Sequence, residues 1–212
     1  VAPSLRASLH LDAPLKRGQL YYYKATASNK VGRSAPSATI SACAGLPGAW
    51  SSSDVGAITV PGFVEYNGNA FSMEGEGHEI GGTADAFHYL YARLEGDGVI
   101  TARVRRPMSS QWTTPGVMMR ESLLPDSRHA SVLLHPHWSG GLISRKETGG
   151  ETVTGRLEPL GEQYVIKKNR LSAPYWIRLE RIGDAFTGSM SPDGIRWQGL
   201  GSVMVRMEKA IY

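Results

Sequence analysis

The run Tyr175-Trp176-Ile177-Arg178-Leu179-Glu180-Arg181 decides the fold class, together with Asp184-Ala185-Phe186-Thr187-Gly188-Ser189-Met190 and the link Ser191-Pro192-Asp193-Gly194 into Ile195-Arg196-Trp197. Side chains of an extended chain point alternately to opposite faces. The first run therefore sets Tyr175, Ile177 and Leu179 on one side and Trp176, Arg178 and Glu180 on the other. The Pro and Asp-Gly of the link are hairpin-turn residues. A strand, a turn and a second strand of this kind form a half-buried antiparallel sheet.

Working outward, the same signal recurs. Phe87 to Leu94 alternates, Glu95-Gly96-Asp97-Gly98 reads as a turn, and Val99 to Arg105 returns with Ile100, Ala102 and Val104 on one face and Thr101, Arg103 and Arg105 on the other. This predicts a half-buried hairpin over 87–105. Gly116–Arg120, Ala130–Leu134 and Gly141–Arg145 are further short, turn-bounded apolar runs. Nothing in the chain keeps a helical period, so the expected class is all-β, a sandwich or jelly roll.

Composition narrows the function classes. The chain has 212 residues, 41% hydrophobic and 20% charged, and can bury a sizeable core, unlike a disordered chain. No apolar run approaches the roughly 18 residues of a membrane span. Cys43 is the sole cysteine, which excludes an intrachain disulfide and a cysteine metal cluster. A net charge of +4 spread along the chain does not argue for nucleic acid. No GxSxG, phosphate loop, dinucleotide fingerprint or HExxH occurs.

At the start, Leu20 to Ala27 reads as a strand, Asn29-Lys30-Val31-Gly32 as a turn and Ser37 to Ala44 as another strand. Leu15, Gly18 and Tyr21, followed by Asn29, Gly32, Ser34 and Pro36-Ser37, resemble the second half of a fibronectin type III domain. The resemblance implies a corner in which the Tyr21 hydroxyl bonds back to the preceding backbone. Residues 1–44 are thus expected to be a partial fibronectin type III-like segment, and 45–49 a linker.

From Trp50 onward the chain resembles the concanavalin A-like jelly rolls that serve as accessory modules of large bacterial extracellular proteins. The residues that carry this are Gly75-Glu76-Gly77-His78-Glu79-Ile80-Gly81, Asp85-Ala86-Phe87-His88-Tyr89, Gly96-Asp97-Gly98 with Thr101 to Val104, Gly116 to Glu121, Trp176 to Leu179, and Ser191 to Gly194 with Trp197. It covers about three quarters of the chain, residues 50–212. Members of that superfamily run on past the position of Tyr212 into a final strand, so the resemblance implies a fragment of a longer polypeptide with an open sheet edge. It also implies an extracellular or cell-surface location, a polysaccharide or glycan partner and neighbouring domains of the same polypeptide, with no nucleic acid and no membrane.

Four sets of residues are candidates for chemistry. Glu74, Glu76 and Glu79 resemble the acids of retaining β-glucanases, in which a nucleophile and an acid/base on one bulged strand flank a sugar. The intervening Gly and His depart from the apolar residues of that pattern, so the expectation leans away from an enzyme and keeps a glycoside hydrolase as the alternative. For sugar binding, Trp112 and Trp138 supply stacking faces, with His135, His137, Arg120 and Arg145 as hydrogen-bonding neighbours on a concave sheet. Trp50, Trp176 and Trp197 are assigned to core or sheet packing. The basic clusters Arg103-Val104-Arg105-Arg106 and Lys167-Lys168-Asn169-Arg170 are read either as solvated strand ends or as attractors of an acidic polysaccharide. The jelly-roll resemblance makes Asp85 and Asp97 candidates for a structural calcium, although the dense oxygen pattern of a dedicated loop is missing and Asp97-Gly98 already serves as turn chemistry. No other cofactor is implied. The expected function is a non-catalytic carbohydrate-binding or accessory module, with a ligand-free spacer or adhesion module as a further alternative.

Overall fold

A computed structural model describes residues 14–16, 19–105, 113–135, 139–154 and 175–212. In chain order its strands are β1 (Leu20–Tyr23), β2 (Ile40–Cys43), β3 (Ser51–Val55), β4 (Phe63–Tyr66), β5 (Phe71–Glu74), β6 (Phe87–Tyr91), β7 (Leu94–Glu95) and β8 (Gly98–Val104). The second half holds β9 (Gly116–Arg120), β10 (His129–His135), β11 (Ser139–Arg145), β12 (Val153–Thr154), β13 (Tyr175–Ile182), β14 (Ala185–Ser191), β15 (Gln198–Met204) and β16 (Ala210–Ile211). The described residues are all-β, as the alternation predicts.

Two four-stranded antiparallel sheets face each other, one ordered β12-β11-β10-β9 and the other β15-β14-β13-β8. Between them lie Val117 and Met119 of β9, Ala130, Val132 and Leu134 of β10, and Leu142 of β11 on one side, against Ile177, Leu179, Phe186, Met190 and Leu200 on the other. Each such side chain taken from water contributes roughly 1.5–3 kcal/mol, which is why the alternation of β13 fixes its register. Gly188 lets the sheets approach closely. A Cβ there would stand 2.9 Å from Val132 Cγ2 and 3.3 Å from Leu142 Cβ.

The expected 87–105 hairpin is not formed. β6 pairs with β3, whereas β8 pairs with β13 from Tyr175↔Val104 to Arg181↔Gly98. The residues between them are claimed by other strands: β7 pairs with β16, the Gly96 amide donates to the Lys209 carbonyl, and the Asp97 carboxylate accepts from the Gly183 amide at 2.7 Å. These contacts carry the chain from one layer to the other.

A smaller layer covers the far face of β9. Val55, Tyr89 and Met118 form a second buried cluster with Ile80, Phe87, Tyr91, Leu123 and Tyr212. At the end of β9, Arg120 exchanges both backbone hydrogen bonds with Tyr212, at 2.9 Å each. At the other end of the chain, β1 and β2 pair with each other, and the Lys16 amide donates to the Tyr21 hydroxyl at 2.8 Å, as the corner reading requires. The Ser34 and Ser37 hydroxyls accept from the amides of Ala27 and Ala25. The Leu20 side chain rests on Gly68, in the turn between β4 and β5.

Candidate functional site

The acidic stretch does not build the glucanase arrangement. β5 ends at Glu74, so Glu76 and Glu79 lie beyond the strand that was to carry all three, and all are exposed. Glu76 accepts the Val60 amide at 2.7 Å, while the Glu79 carbonyl accepts the Ala86 amide. The glycines between them have a packing cause. A Cβ on Gly77 would stand 1.9 Å from the Ala86 carbonyl oxygen, and one on Gly75 would stand 2.5 Å from His88 Cβ. The segment is glycine-rich because it lies against Ala86 and β6, and its acidic residues stand at the exposed surface, where Glu76 holds the Val60 amide.

Arg120 and Arg145, expected on an exposed sheet, are wholly buried, and so is Asp85. Arg145 grips the Asp85 carboxylate with both terminal nitrogens, at 2.7 Å to Oδ1 and 2.9 Å to Oδ2, and Arg120 Nη1 adds a third contact at 3.3 Å. The remaining guanidinium hydrogens donate to backbone carbonyls: Arg145 to Gly81, Gly82, Pro125, Ser127 and Gly150, and Arg120 to Ser122 and Leu124. His129, between them in register, is pushed down to about 3 by burial and by the two guanidiniums, so it stays neutral. This correction has a physical reason. The face of the sheet that carries Arg120 and Arg145 is covered by residues 81–85 and the 122–127 loop, and buried charge must be paired.

The Asp85 carboxylate, a calcium candidate from sequence, serves two cations in this geometry. Asp97 is engaged with Gly183, and no group of three or more His, Cys, Asp or Glu side chains among the described residues is placed to hold a metal ion. Trp112, Trp138 and His137 lie outside the described residues. His135 closes β10 opposite Ser139.

Sequence reasoning missed two features. Asp54 accepts from His88 Nδ1 at 2.6 Å and from the Gly62 amide at 3.1 Å, and these bonds hold its carboxyl below the usual range. The His88 ring lies against Gly62 while its Cβ lies against Gly75, and its Nε2 is buried with no partner among the described residues. The pair ties β3 and the loop at Gly62 to β6.

The second feature is the outer face of the β15-β14-β13-β8 sheet. Trp176 and Trp197, assigned from sequence to packing, are half-buried there. The Arg103 guanidinium lies 5.6 Å from the Trp176 ring centre, and the Arg178 guanidinium lies 3.8 Å from that of Trp197. Arg178 Nε donates to Thr101 Oγ1 at 3.2 Å, and the Trp197 indole donates to the Gly194 carbonyl. Across the sheet the register continues Thr101, Arg178, Ser189, Gly199, with Thr187 and Ser202 bonded to each other one step along. A Cβ on Gly199 would meet nothing within 4 Å, which leaves open floor beside Ser189. The signal was in the sequence: alternation in β8 and β13 sends Thr101, Arg103, Trp176 and Arg178 to the same side. Arg103 faces Trp176 because the two strands pair in that register.

No protein-family model matches the chain, and comparison with curated proteins gives no match.

Proposed function

We propose that this chain is a non-catalytic carbohydrate-binding module of a larger extracellular protein, and that the outer face of the β15-β14-β13-β8 sheet is its binding surface. The observation that carries the reading is the pairing of Trp176 and Trp197 with Arg103 and Arg178 around the open floor at Gly199. Sugars are recognised by flat aromatic surface together with planar and hydroxyl hydrogen-bonding groups. This face holds both, on strands whose other side is locked into the core.

The test is a pull-down panel of insoluble and gel-immobilised polysaccharides (β-glucans, xylans, mannans and uronates) with a parallel reducing-end assay. Wild type is expected to bind at least one polymer without releasing reducing ends, and Trp197→Ala to lose most of that binding. New reducing ends abolished by Glu79→Gln would replace the reading with a glycoside hydrolase. Retention on no polymer would leave a ligand-free spacer.

A further inference from the structure

Resting on that reading, we infer that the ligand class is an acidic polysaccharide whose uronate carboxylates are taken by Arg103 and Arg178. Neither guanidinium has a carboxylate partner among the described residues. The neighbouring Arg196 shows the contrast, since its Nε sits 2.9 Å from the Asp193 carboxylate. That carboxylate is further engaged by the Ile195 and Arg196 amides and the Ser191 hydroxyl, so it is not available to Arg178. Glu180 is the acid on the outer face of β13, two residues beyond Arg178 and paired with Val99 and Thr187, on the far side from Arg103.

The two cations are preorganised. Each guanidinium lies over an indole ring, closely for Arg178 and at cation–π range for Arg103, so less side-chain freedom is lost when a ligand arrives. The bond from Arg178 Nε to Thr101 uses the inner donor of the fork and leaves the two terminal nitrogens without a hydrogen-bond partner among the described residues, as a bidentate carboxylate contact requires. The floor beyond, Ser189 and Gly199 with Thr187 and Ser202, offers hydroxyls and a flat gap in which a pyranose ring can lie. A nucleic acid fits less well. Phosphate-led binding relies on a long track of cations, whereas this face is built around Arg103 and Arg178.

The experiment uses affinity electrophoresis and calorimetry on the full chain with polygalacturonate, the same polymer after carboxyl reduction, a neutral β-glucan and single-stranded DNA. The variants are Arg178→Gln, Arg103→Gln and Gly199→Leu, each checked for an unchanged unfolding midpoint. Gly199→Leu is the decisive one, since a Cβ there meets no described atom within 4 Å and the larger side chain is placed over the floor. The expected result is binding to polygalacturonate that weakens with added salt, falls at least about tenfold on carboxyl reduction and in Arg178→Gln, and is lost in Gly199→Leu. Equal binding to the carboxyl-reduced polymer or the β-glucan would overturn the acidic class and leave the module reading standing. Polygalacturonate binding indifferent to all three variants would overturn the site. Preference for single-stranded DNA would replace the ligand class, and binding to none of the four would overturn this inference and count against the module reading as well.

Discussion

Asp85→Asn tests whether the buried charge node ties residues 81–85 and the 122–127 loop to the β12-β11-β10-β9 sheet. The carboxylate receives three guanidinium contacts at 2.7, 2.9 and 3.3 Å, and all three side chains are shielded from solvent. The amide keeps the shape but removes the charge and turns one oxygen into a donor that faces donors. Two guanidiniums are then left with carbonyl dipoles alone. Breaking a buried pair from one side costs about 3–5 kcal/mol. At about 2–4 °C per kcal/mol for a domain of this size, the unfolding midpoint should fall by about 6–20 °C. Calorimetry and urea unfolding at neutral pH measure this directly. The double variant Asp85→Asn/Arg120→Met sharpens the test. Removing one of the two uncompensated cations returns the node to the net charge of the wild type, so the pair should be less destabilised than the sum of the single variants. A loss under about 1 kcal/mol in Asp85→Asn, or strict additivity with Arg120→Met, would refute the reasoning.

Two further predictions concern the core. His129 titrates near 3 in the folded chain against about 6.5 when unfolded. Between those values the unfolded state binds the extra proton, so stability falls as pH drops from about 6.5 toward 3, by at most about 1.4 kcal/mol per unit; in urea unfolding at several pH values His129→Gln should show a shallower decline than wild type, and equal slopes would remove His129 as the cause. Gly188→Ala places a methyl group 2.9 Å from Val132 Cγ2 in a filled interface and should cost about 1–3 kcal/mol in the same assay, where an unchanged midpoint would mean that the sheets can part without penalty.

What was legible in the sequence is what local alternation encodes. Ile177 and Leu179 inward, Trp176 and Arg178 outward, and the same split along Ile100 to Arg103 follow from a period of two and from burial on one face only. Alternation says which side of a strand meets the core, but not which strand lies beside it. That is why Phe87–Leu94 and Val99–Arg105 read as a hairpin, while the structure sends β6 to β3 and β8 to β13, a partner more than seventy positions away. The buried node failed for a related reason. Arg120 and Arg145 look like surface residues because an isolated guanidinium is costly to bury. Their partner Asp85 lies 35 positions before one and 60 before the other, and no local pattern links them. Trp176 stands on the polar face of β13, where alternation puts it, and packs there against Gly194 and the Arg103 guanidinium.

The node and the proposed binding face are complementary consequences of one packing choice. The β12-β11-β10-β9 sheet is covered on one side by the core and, around Met118 and Arg120, by the second cluster on the other. Its charged residues there are consumed in pairing with Asp85 and backbone carbonyls, so they cannot reach a ligand without unfolding that layer. The opposite sheet spends only its inner face on the core. Its outer face keeps two arginines that no described carboxylate neutralises, fixed in place by indole rings on strands that cannot shift without exposing Ile177, Leu179 and Phe186, each fully buried. A rigid sheet with an unspent polar side can recognise a partner without rearranging, and the stability lost in Asp85→Asn should therefore be separable from binding: at temperatures well below its midpoint, that variant should retain wild-type affinity for whatever polysaccharide the outer face takes.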